Sequence, residues 1–205
     1  HAKQRQGHSM DPRTIQDLSS TGHHQECLKA CQQLLQKGTE SPLAWKLAGK
    51  SLLALGKVER AQQYLKKANK LDTTDVEILK DIGNICLKLG RTNEAAEWYK
   101  KALEIDKSYA PAINNLASLK RKSGNIQDAV NLFKRAIQAD PQLIQAYIGA
   151  AASYLTLGDF DQAESFAKQA IKINASAPGI NEILGNIYQN KQNPQQAVES
   201  YQKEL

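Results

Sequence analysis

The sequence predicts an all-α solenoid of antiparallel helix pairs, and this prediction depends on three series of small residues that share one period. One series of glycines and two series of alanines each recur every 34 residues. A single helix pair of this size cannot bury its own apolar face, so consecutive units must stack on one another. The 205 residues provide room for about five and a half to six such units.

The three series can be read directly from the sequence. The glycines are Gly22, Gly56, Gly90, Gly124 and Gly158. The first alanine series is Ala61, Ala95, Ala129, Ala163 and Ala197. The second alanine series is Ala68, Ala102, Ala136 and Ala170. Alanine lets two helix axes approach closely, because a larger side chain would overpack the contact.

Residues 76–109 illustrate how one unit is built. The first helix has an apolar stripe at helical spacing, formed by Leu79, Ile82, Cys86 and Leu89. Gly90 follows at the position where a left-handed residue ends a helix. The returning helix is predicted by a second stripe, formed by Ala95, Trp98, Tyr99, Ala102 and Leu103.

Composition excludes several classes of protein. Apolar residues make up 41% of the chain and charged residues 23%, which is ordinary for a globular protein. The sequence has no run of roughly 18 apolar residues, so we expect neither a transmembrane helix nor a membrane partner. Three cysteines are too few for a disulfide scaffold, and the N-terminus lacks a signal-peptide core. We therefore expect a cytoplasmic protein.

The sequence contains no catalytic constellation. Its four histidines are at positions 1, 8, 23 and 24, and it has no glycine-rich phosphate loop. His23, Cys27 and Cys31 share one helix face and have the chemistry of zinc ligands. Both cysteines, however, lie at core positions of the repeat, where free cysteine packs as a small apolar residue. We therefore predict a chain that is not an enzyme and binds no cofactor or metal.

The net charge of +6 raises the question of a nucleic-acid partner. Basic pairs recur with the repeat at Lys66-Lys67, Lys100-Lys101 and Lys134-Arg135. These pairs fall in the last turns of second helices, where they complement the helix dipole and keep the surface solvated. Few aromatic residues alternate with the basic ones, so base stacking is poorly supported and we expect no nucleic-acid partner.

The repeated unit resembles the tetratricopeptide repeat (TPR) family, whose 34-residue pattern is W-x2-L-G-x2-Y…A-x3-F…P. The matching residues of the four central units are Trp45, Gly49, Ala61, Leu65 and Ala68, then Ile82, Gly83, Ala95, Tyr99 and Ala102, then Leu116, Ala117, Ala129, Phe133, Ala136 and Pro141, and finally Tyr147, Tyr154, Ala163 and Ala170. The resemblance covers residues 8–205. It implies a right-handed superhelix in which the first helix of each unit lines a concave groove.

The period divides the chain into six units. Residues 1–9 are interpreted as an expression-tag remnant and residues 10–205 as a single TPR solenoid. Asp11 and Pro12 predict the start of the first helix, as its N-cap and first helical residue. The units are 8–41, a degenerate N-terminal cap, then 42–75, 76–109, 110–143, 144–177 and a truncated 178–205. Glu204 replaces an alanine in this last unit, which stops after 28 residues with no solvating helix behind it, so we expect the natural protein to be longer.

The resemblance also implies that polar residues on the non-core face of the first helices form a binding groove. The candidate peptide-binding residues are Lys46, Lys50, Lys80, Asn84, Lys88, Asn115, Ser118, Arg121, Lys122 and Gln145. Residues 1–143 hold 23 basic and 15 acidic side chains, whereas residues 144–205 hold 4 basic and 6 acidic ones. This polarity predicts a protein or peptide ligand whose extended, acidic segment is directed toward the N-terminal units.

Some TPR co-chaperones bind the C-terminal carboxylate of heat-shock chaperones with a clamp of five side chains. Lys80, Asn84 and Asn115 match three of the clamp positions. Gln145 and Gly149 occupy the two positions that should be basic. The sequence therefore favours a weaker anion or amide site over a chaperone clamp.

The leading functional hypothesis is a non-catalytic scaffold or adaptor for protein–protein interaction. The alternative is the N-terminal recognition arm of a larger enzyme, such as a glycosyltransferase or sulfotransferase, and a third hypothesis is an assembly of stacked solenoids. The last unit lacks a following neighbour, so we also expect self-association through its apolar edge. That edge is formed by Ile183, Leu184, Ile187, Tyr188, Val198 and Tyr201.

Overall fold

The structure, a computed structural model, describes residues 11–205, so the proposed tag remnant at residues 1–9 lies outside the described residues. This part of the chain contains twelve α-helices and no β-strand. The helices are α1 (Pro12–Ser20), α2 (His24–Gln36), α3 (Pro42–Ala54), α4 (Val58–Leu71), α5 (Val76–Lys88), α6 (Thr92–Ile105), α7 (Ala110–Lys122), α8 (Ile126–Ala139), α9 (Ile144–Leu157), α10 (Phe160–Ile173), α11 (Ile180–Asn190) and α12 (Pro194–Glu204). The predicted all-α architecture of antiparallel helix pairs is confirmed. Among these helices, none has the length and apolar character that crossing a membrane requires.

The described residues form two compact units, each of which contains several repeats. The first unit is residues 11–98 and the second unit is residues 99–205. In the first unit, α1 packs against α2 and α3, and each of α2, α3 and α4 packs against the helix that follows it. In the second unit, α7 to α12 pack in chain order, and the first helix α9 also contacts the first helices α7 and α11. Neighbouring first helices therefore lie side by side, which is the arrangement expected of stacked helix pairs.

Side-chain caps begin α1 and α5, and the cap of α1 is the one that the sequence predicts. The carboxylate of Asp11 accepts a hydrogen bond from the backbone N–H of Arg13 at 3.2 Å, and Pro12 is the first helical residue. Asp75 caps α5 in the same way and accepts from the N–H of Glu77 at 3.0 Å. These carboxylates supply partners for N–H groups that no helical carbonyl can reach.

The glycine series supplies the left-handed residues that end the first helices. All five glycines have a positive φ, from 74° at Gly90 to 85° at Gly124. After α5, the N–H of Arg91 bonds to the carbonyl of Cys86 at 2.8 Å and closes the last turn. The next position in the series is Gln192, which has a φ of 58° although it is not glycine. A side chain in this conformation costs roughly 1–2 kcal/mol, so Gln192 is a strained position.

Both alanine series lie in the core, as the packing argument requires. Every member is fully buried except Ala197, which is 5% exposed. Glycine serves the same purpose between α3 and α4, because a Cβ atom added to Gly49 would lie 2.7 Å from Cγ of Leu65. The small residues therefore mark the places where paired helices approach most closely.

The cysteines of the described chain are buried, unpaired thiols. Cys27 and Cys31 are both fully buried in α2, and the thiol of Cys27 donates to the carbonyl of Ile15 at 3.6 Å. Burial, together with the neighbouring Cys27, raises the pKa of the Cys31 thiol to about 12. Residues 11–205 contain no group of three or more His, Cys, Asp or Glu side chains placed to hold a metal ion. The full burial of both side chains indicates that Cys27 and Cys31 pack as small core residues.

Candidate functional site: the polar faces of the first helices

The ten candidate groove residues lie on four first helices. In the first unit, α3 carries Lys46 and Lys50, and α5 carries Lys80, Asn84 and Lys88. In the second unit, α7 carries Asn115, Ser118, Arg121 and Lys122, and α9 carries Gln145. Three of the ten are exposed, namely Lys88, Lys122 and Gln145. The other seven are half-buried, so most candidates pack their stems against the protein.

The two candidate lysines of α3 form ion pairs with the beginning of α5. The Nζ atom of Lys46 lies 2.8 Å from Oδ2 of Asp75 and 2.6 Å from Oε2 of Glu77. Lys50 donates a hydrogen bond to Oε1 of the same Glu77. The Lys46 side chain is only 15% exposed. Two positive and two negative charges therefore neutralise one another at the start of a groove that the sequence predicts to be basic.

The pKa values of Glu77 and Lys46 keep both side chains charged at neutral pH. Burial would raise the pKa of Glu77, but hydrogen bonds from Lys46 and Lys50 outweigh burial and lower it to about 2. Burial also works against the charge of Lys46, whereas its bonds to Asp75 and Glu77 raise the pKa of Lys46 above the ordinary value. The contact is thus an ion-pair network, which links two first helices electrostatically.

Lys80, the third candidate lysine, pairs with the residue beside it in the chain. Its Nζ atom lies 2.7 Å from Oδ1 of Asp81. Asp81 is only 6% exposed, and among the described residues its Oδ2 atom has no hydrogen-bond partner. A buried carboxylate oxygen without a donor is costly. The charge of Lys80 is therefore compensated by a buried carboxylate, and the Oδ2 atom of that carboxylate is left as an unused acceptor.

The positive charge of the second unit is arranged differently. Lys120, Arg121 and Lys122 form the last turn of α7. Within residues 11–205, none of these three side chains forms an ion pair. They complement the negative end of the α7 dipole. Ser118 precedes Arg121 and Lys122 by about one helical turn, so hydroxyl and cationic donors follow each other along α7.

α9 offers a nearly uncharged surface next to α7. Gln145 is exposed in its first turn, and the rest of the helix is rich in apolar and small residues. A Cβ atom added to Gly149 would lie 2.3 Å from two ring atoms of Phe133, which is itself buried in α8. The basic side chain that a chaperone clamp needs at this position would therefore displace Phe133. This packing gives a physical reason why the clamp pattern is incomplete.

Asp75 and Glu77 were not predicted as parts of this surface. A signal for both was present, because the lysine and carboxylate partners are separated by 29 and 27 residues, slightly less than one repeat. Acidic residues at the start of one first helix are therefore brought beside lysines of the preceding first helix. The helical spacing predicts Asp81 on the same polar face as Lys80 and Asn84, but its burial depends on how the neighbouring side chains pack.

Sequence comparison supports the repeat assignment. Three family profiles match the chain: "Tetratricopeptide repeat" at residues 120–187, "TPR repeat" at residues 83–120, and a second "Tetratricopeptide repeat" at residues 44–75 and 179–203. None of the curated proteins matches the chain in sequence.

Several solved structures share the fold. PilW, described as a widely conserved type IV pilus biogenesis factor, is 20% identical with a TM-score of 0.81, and the match covers 94% of this chain and 89% of PilW. MamA is 26% identical with a TM-score of 0.65, over 76% of this chain and 91% of MamA. YrrB, described as a TPR protein with an unusual peptide-binding site, is 19% identical with a TM-score of 0.66, over 86% of this chain and 91% of YrrB. The chain belongs to the tetratricopeptide repeat family.

Proposed function

We propose that this chain is a non-catalytic interaction scaffold that binds an extended acidic segment of a partner protein along its first helices. The observation that carries the proposal is the last turn of α7, where Arg121 and Lys122 have no carboxylate partner among the described residues. Uncompensated positive charge on one surface attracts and orients an acidic ligand.

The amide and hydroxyl groups beside this charge suit a peptide backbone. Ser118 and Asn115 lie about one and two turns before the end of α7, and Gln145 is exposed in the first turn of the neighbouring α9. Amide and hydroxyl side chains both donate and accept, so they can pair with peptide carbonyls and N–H groups. A ligand with acidic residues beside Arg121 and uncharged residues beside α9 would match this arrangement.

In the first unit, the proposed ligand would compete with internal carboxylates. Lys46 and Lys50 are held by Asp75 and Glu77, so an acidic ligand gains little there unless it displaces these partners. Asn84 and Lys88 lie further along α5 and carry the proposal in this unit. YrrB, which has the same fold, is described as having a peptide-binding site, and this makes a peptide ligand a reasonable class to test.

The proposal can be tested by titrating the chain with a glutamate-rich peptide and with the same peptide carrying glutamine. We expect affinity in roughly the micromolar range for the acidic peptide, because ordering a flexible segment offsets much of the contact energy. Added salt should weaken binding, since the surface is open to solvent. The glutamine peptide should bind much more weakly.

A matched pair of variants separates a specific site from general charge. Lys122→Glu changes the proposed site, and Lys172→Glu makes the same change at another exposed lysine in the last turn of a helix of the same unit. We expect the first substitution to weaken binding about tenfold or more and the second about twofold at most. Equal effects would mean that only net charge attracts the peptide, and the proposed site would be wrong.

We also propose self-association through the last helix pair. Val198 is 53% exposed on α12, whereas the hydroxyl of Tyr201 is already bonded to Asn186 and Gln189. Val198→Asp is therefore a cleaner test than a change at Tyr201, whose ring packs against Gly185. Sedimentation should show a concentration-dependent dimer that this substitution abolishes. A strict monomer at high concentration would refute the proposal.

For the compartment, we propose the cytoplasm. The cysteines of residues 11–205 are free thiols, and buried free thiols persist in a reducing environment. Fractionation of the source cells, with detection of the chain by antibody, tests this proposal directly. Recovery in the envelope fraction would contradict it.

A further inference from the structure

A cleft in the first unit is lined by none of the ten candidate groove residues. It has a volume of about 350 Å³ and is lined by Gln32, Leu35, Gln36, Trp45 and Tyr64. The second helices α2 and α4 supply four of these residues, and Trp45 of α3 supplies the fifth. No charged side chain lines the cleft.

Two aromatic rings form one wall of this cleft. The centroids of Trp45 and Tyr64 are 5.0 Å apart with their planes inclined by 62°, an edge-to-face contact. Trp45 is half-buried, whereas the residues one, two and three repeats later, Leu79, Ile113 and Tyr147, are buried. Trp45 therefore exposes apolar surface in the cleft, whereas the next three repeats bury the side chain at the equivalent position.

The polar groups of the cleft include donors without acceptors. The Nε2 amide of Gln32 donates to the hydroxyl oxygen of Tyr64 at 3.4 Å, which leaves the phenolic proton free to donate elsewhere. Among the described residues, no acceptor takes the indole N–H of Trp45 or this phenolic proton. Gln36 is exposed at the rim and adds a further amide.

We propose that this cleft binds a proline-rich segment of a partner protein in the polyproline II conformation. Such a segment presents flat pyrrolidine rings that pack on aromatic faces, and its backbone carbonyls are all free to accept hydrogen bonds. Proline has no N–H, so a proline-rich ligand needs donors from its site, and Trp45 and Tyr64 supply them. The segment is already extended before binding, which lowers the entropic cost of association.

The absence of charge in the lining of the cleft distinguishes this ligand from the acidic peptide proposed above. An acidic segment would gain no ion pair in the cleft, because all five lining residues are neutral. The main competing ligand is a sugar, since pyranose rings also pack on tryptophan and bond to glutamine. The two ligand classes differ in the hydrogen bonds they can form with the cleft. A sugar brings hydroxyl donors as well as acceptors, whereas a proline-rich segment brings only carbonyl acceptors.

The test uses the full chain and capped octaproline, followed by the resonance of the Trp45 indole N–H in a ¹⁵N-labelled sample. The chain has only two tryptophans, so Trp98 provides an internal reference in the same spectrum. We expect a saturable shift of the Trp45 signal and a smaller change at Trp98. Maltose, titrated separately, should leave both signals unchanged.

Matched variants identify the donors. Tyr64→Phe removes only the hydroxyl and should weaken octaproline binding about threefold to tenfold. Gln36→Ala should weaken it, whereas Gln33→Ala, at an exposed position of α2 outside the cleft, should not. If octaproline causes no saturable shift, or if Tyr64→Phe binds as tightly as the unaltered chain, the proposal is overturned. A shift caused by maltose alone would assign the cleft to sugars instead.

Discussion

The carboxylate of Glu204 accepts a hydrogen bond from the backbone N–H of Gly179 at 2.6 Å and thereby joins the end of α12 to the beginning of α11. The second carboxylate oxygen accepts from the N–H of Asn181 at 3.1 Å. Both N–H groups belong to the start of α11, where no helical carbonyl can reach them. A negative charge there also favours the helix dipole. Glu204 occupies an alanine position of the repeat, yet it has acquired the role of a helix cap.

Replacing Glu204 with alanine should therefore destabilise the chain, although alanine is the usual residue at this repeat position. We expect Glu204→Ala to lower the free energy of unfolding by about 1 kcal/mol, because two N–H groups lose their acceptor. Urea denaturation measures the change. Glu199→Ala removes the same charge from an exposed position of α12 and should have a smaller effect. A stabilised Glu204→Ala variant would contradict the capping role.

Gln192 provides a second prediction, because its backbone is in the left-handed region with a φ of 58°. Gln192→Gly should raise the free energy of unfolding by roughly 0.5–1 kcal/mol, since glycine adopts this conformation without steric cost. The reverse change, Gly158→Ala, should lower it by about 1 kcal/mol, although a Cβ atom there meets no atom within 4 Å. Thermal melting of both variants tests the pair. Opposite signs are required, so a loss of stability in both would show that the strain argument is wrong.

The fold could be predicted from the sequence because small residues report close contacts directly. The glycine series predicts the left-handed helix ends, and the alanine series predicts the buried contacts, since no other residues fit these places as well. In the last repeat, Gln192 interrupts the glycine series and Glu204 interrupts the second alanine series. Their effects could not be predicted from the period, because they depend on local backbone strain at one position and a side-chain hydrogen bond at the other.

The candidate site was harder to predict than the fold. The period predicts which helical face carries Lys46, Lys50 and Lys80, but it does not predict that these lysines form ion pairs. Whether a lysine faces solvent or bonds to a carboxylate depends on side-chain conformation and on the exact approach of α3 and α5. Glu77 lies 27 residues after Lys50, and this separation becomes informative only once the helix packing is known. The acidic ligand consequently stays a prediction.

Gly149 yields a prediction about packing in the second unit. Gly149→Ala should lower the free energy of unfolding by about 1–3 kcal/mol, because the new methyl group would collide with the buried ring of Phe133. The double variant Gly149→Ala, Phe133→Leu should lose less stability than the two single changes added together, since leucine vacates the space that the methyl group needs. Urea denaturation of all three variants gives the coupling. Additive losses would mean that residues 133 and 149 are not in steric contact.

Glu164 of α10 is the centre of a charge cluster that connects α10 to the end of α11. Its carboxylate lies 2.6 Å from Nζ of Lys168 and 2.8 Å from Nζ of Lys191, and it accepts from the hydroxyl of Tyr188 at 3.1 Å. Hydrogen bonds from Lys168 and Lys191 outweigh burial and lower the pKa of Glu164 from 4.5 to about 2. The cluster therefore holds its charge in acid that protonates ordinary glutamates.

This lowered pKa predicts how stability depends on pH. A depressed carboxyl pKa stabilises the folded chain fully above the ordinary value of 4.5, and this contribution is lost as the pH falls toward 2. Glu164→Gln should cost on the order of 1 kcal/mol at pH 7, discounted for the solvent that reaches its lysine partners, and almost nothing at pH 2. Glu199→Gln should cost little at either pH, because Glu199 is exposed. Urea denaturation at several pH values compares the three proteins, and a cost of Glu164→Gln that stays constant with pH would rule out the ion-pair explanation.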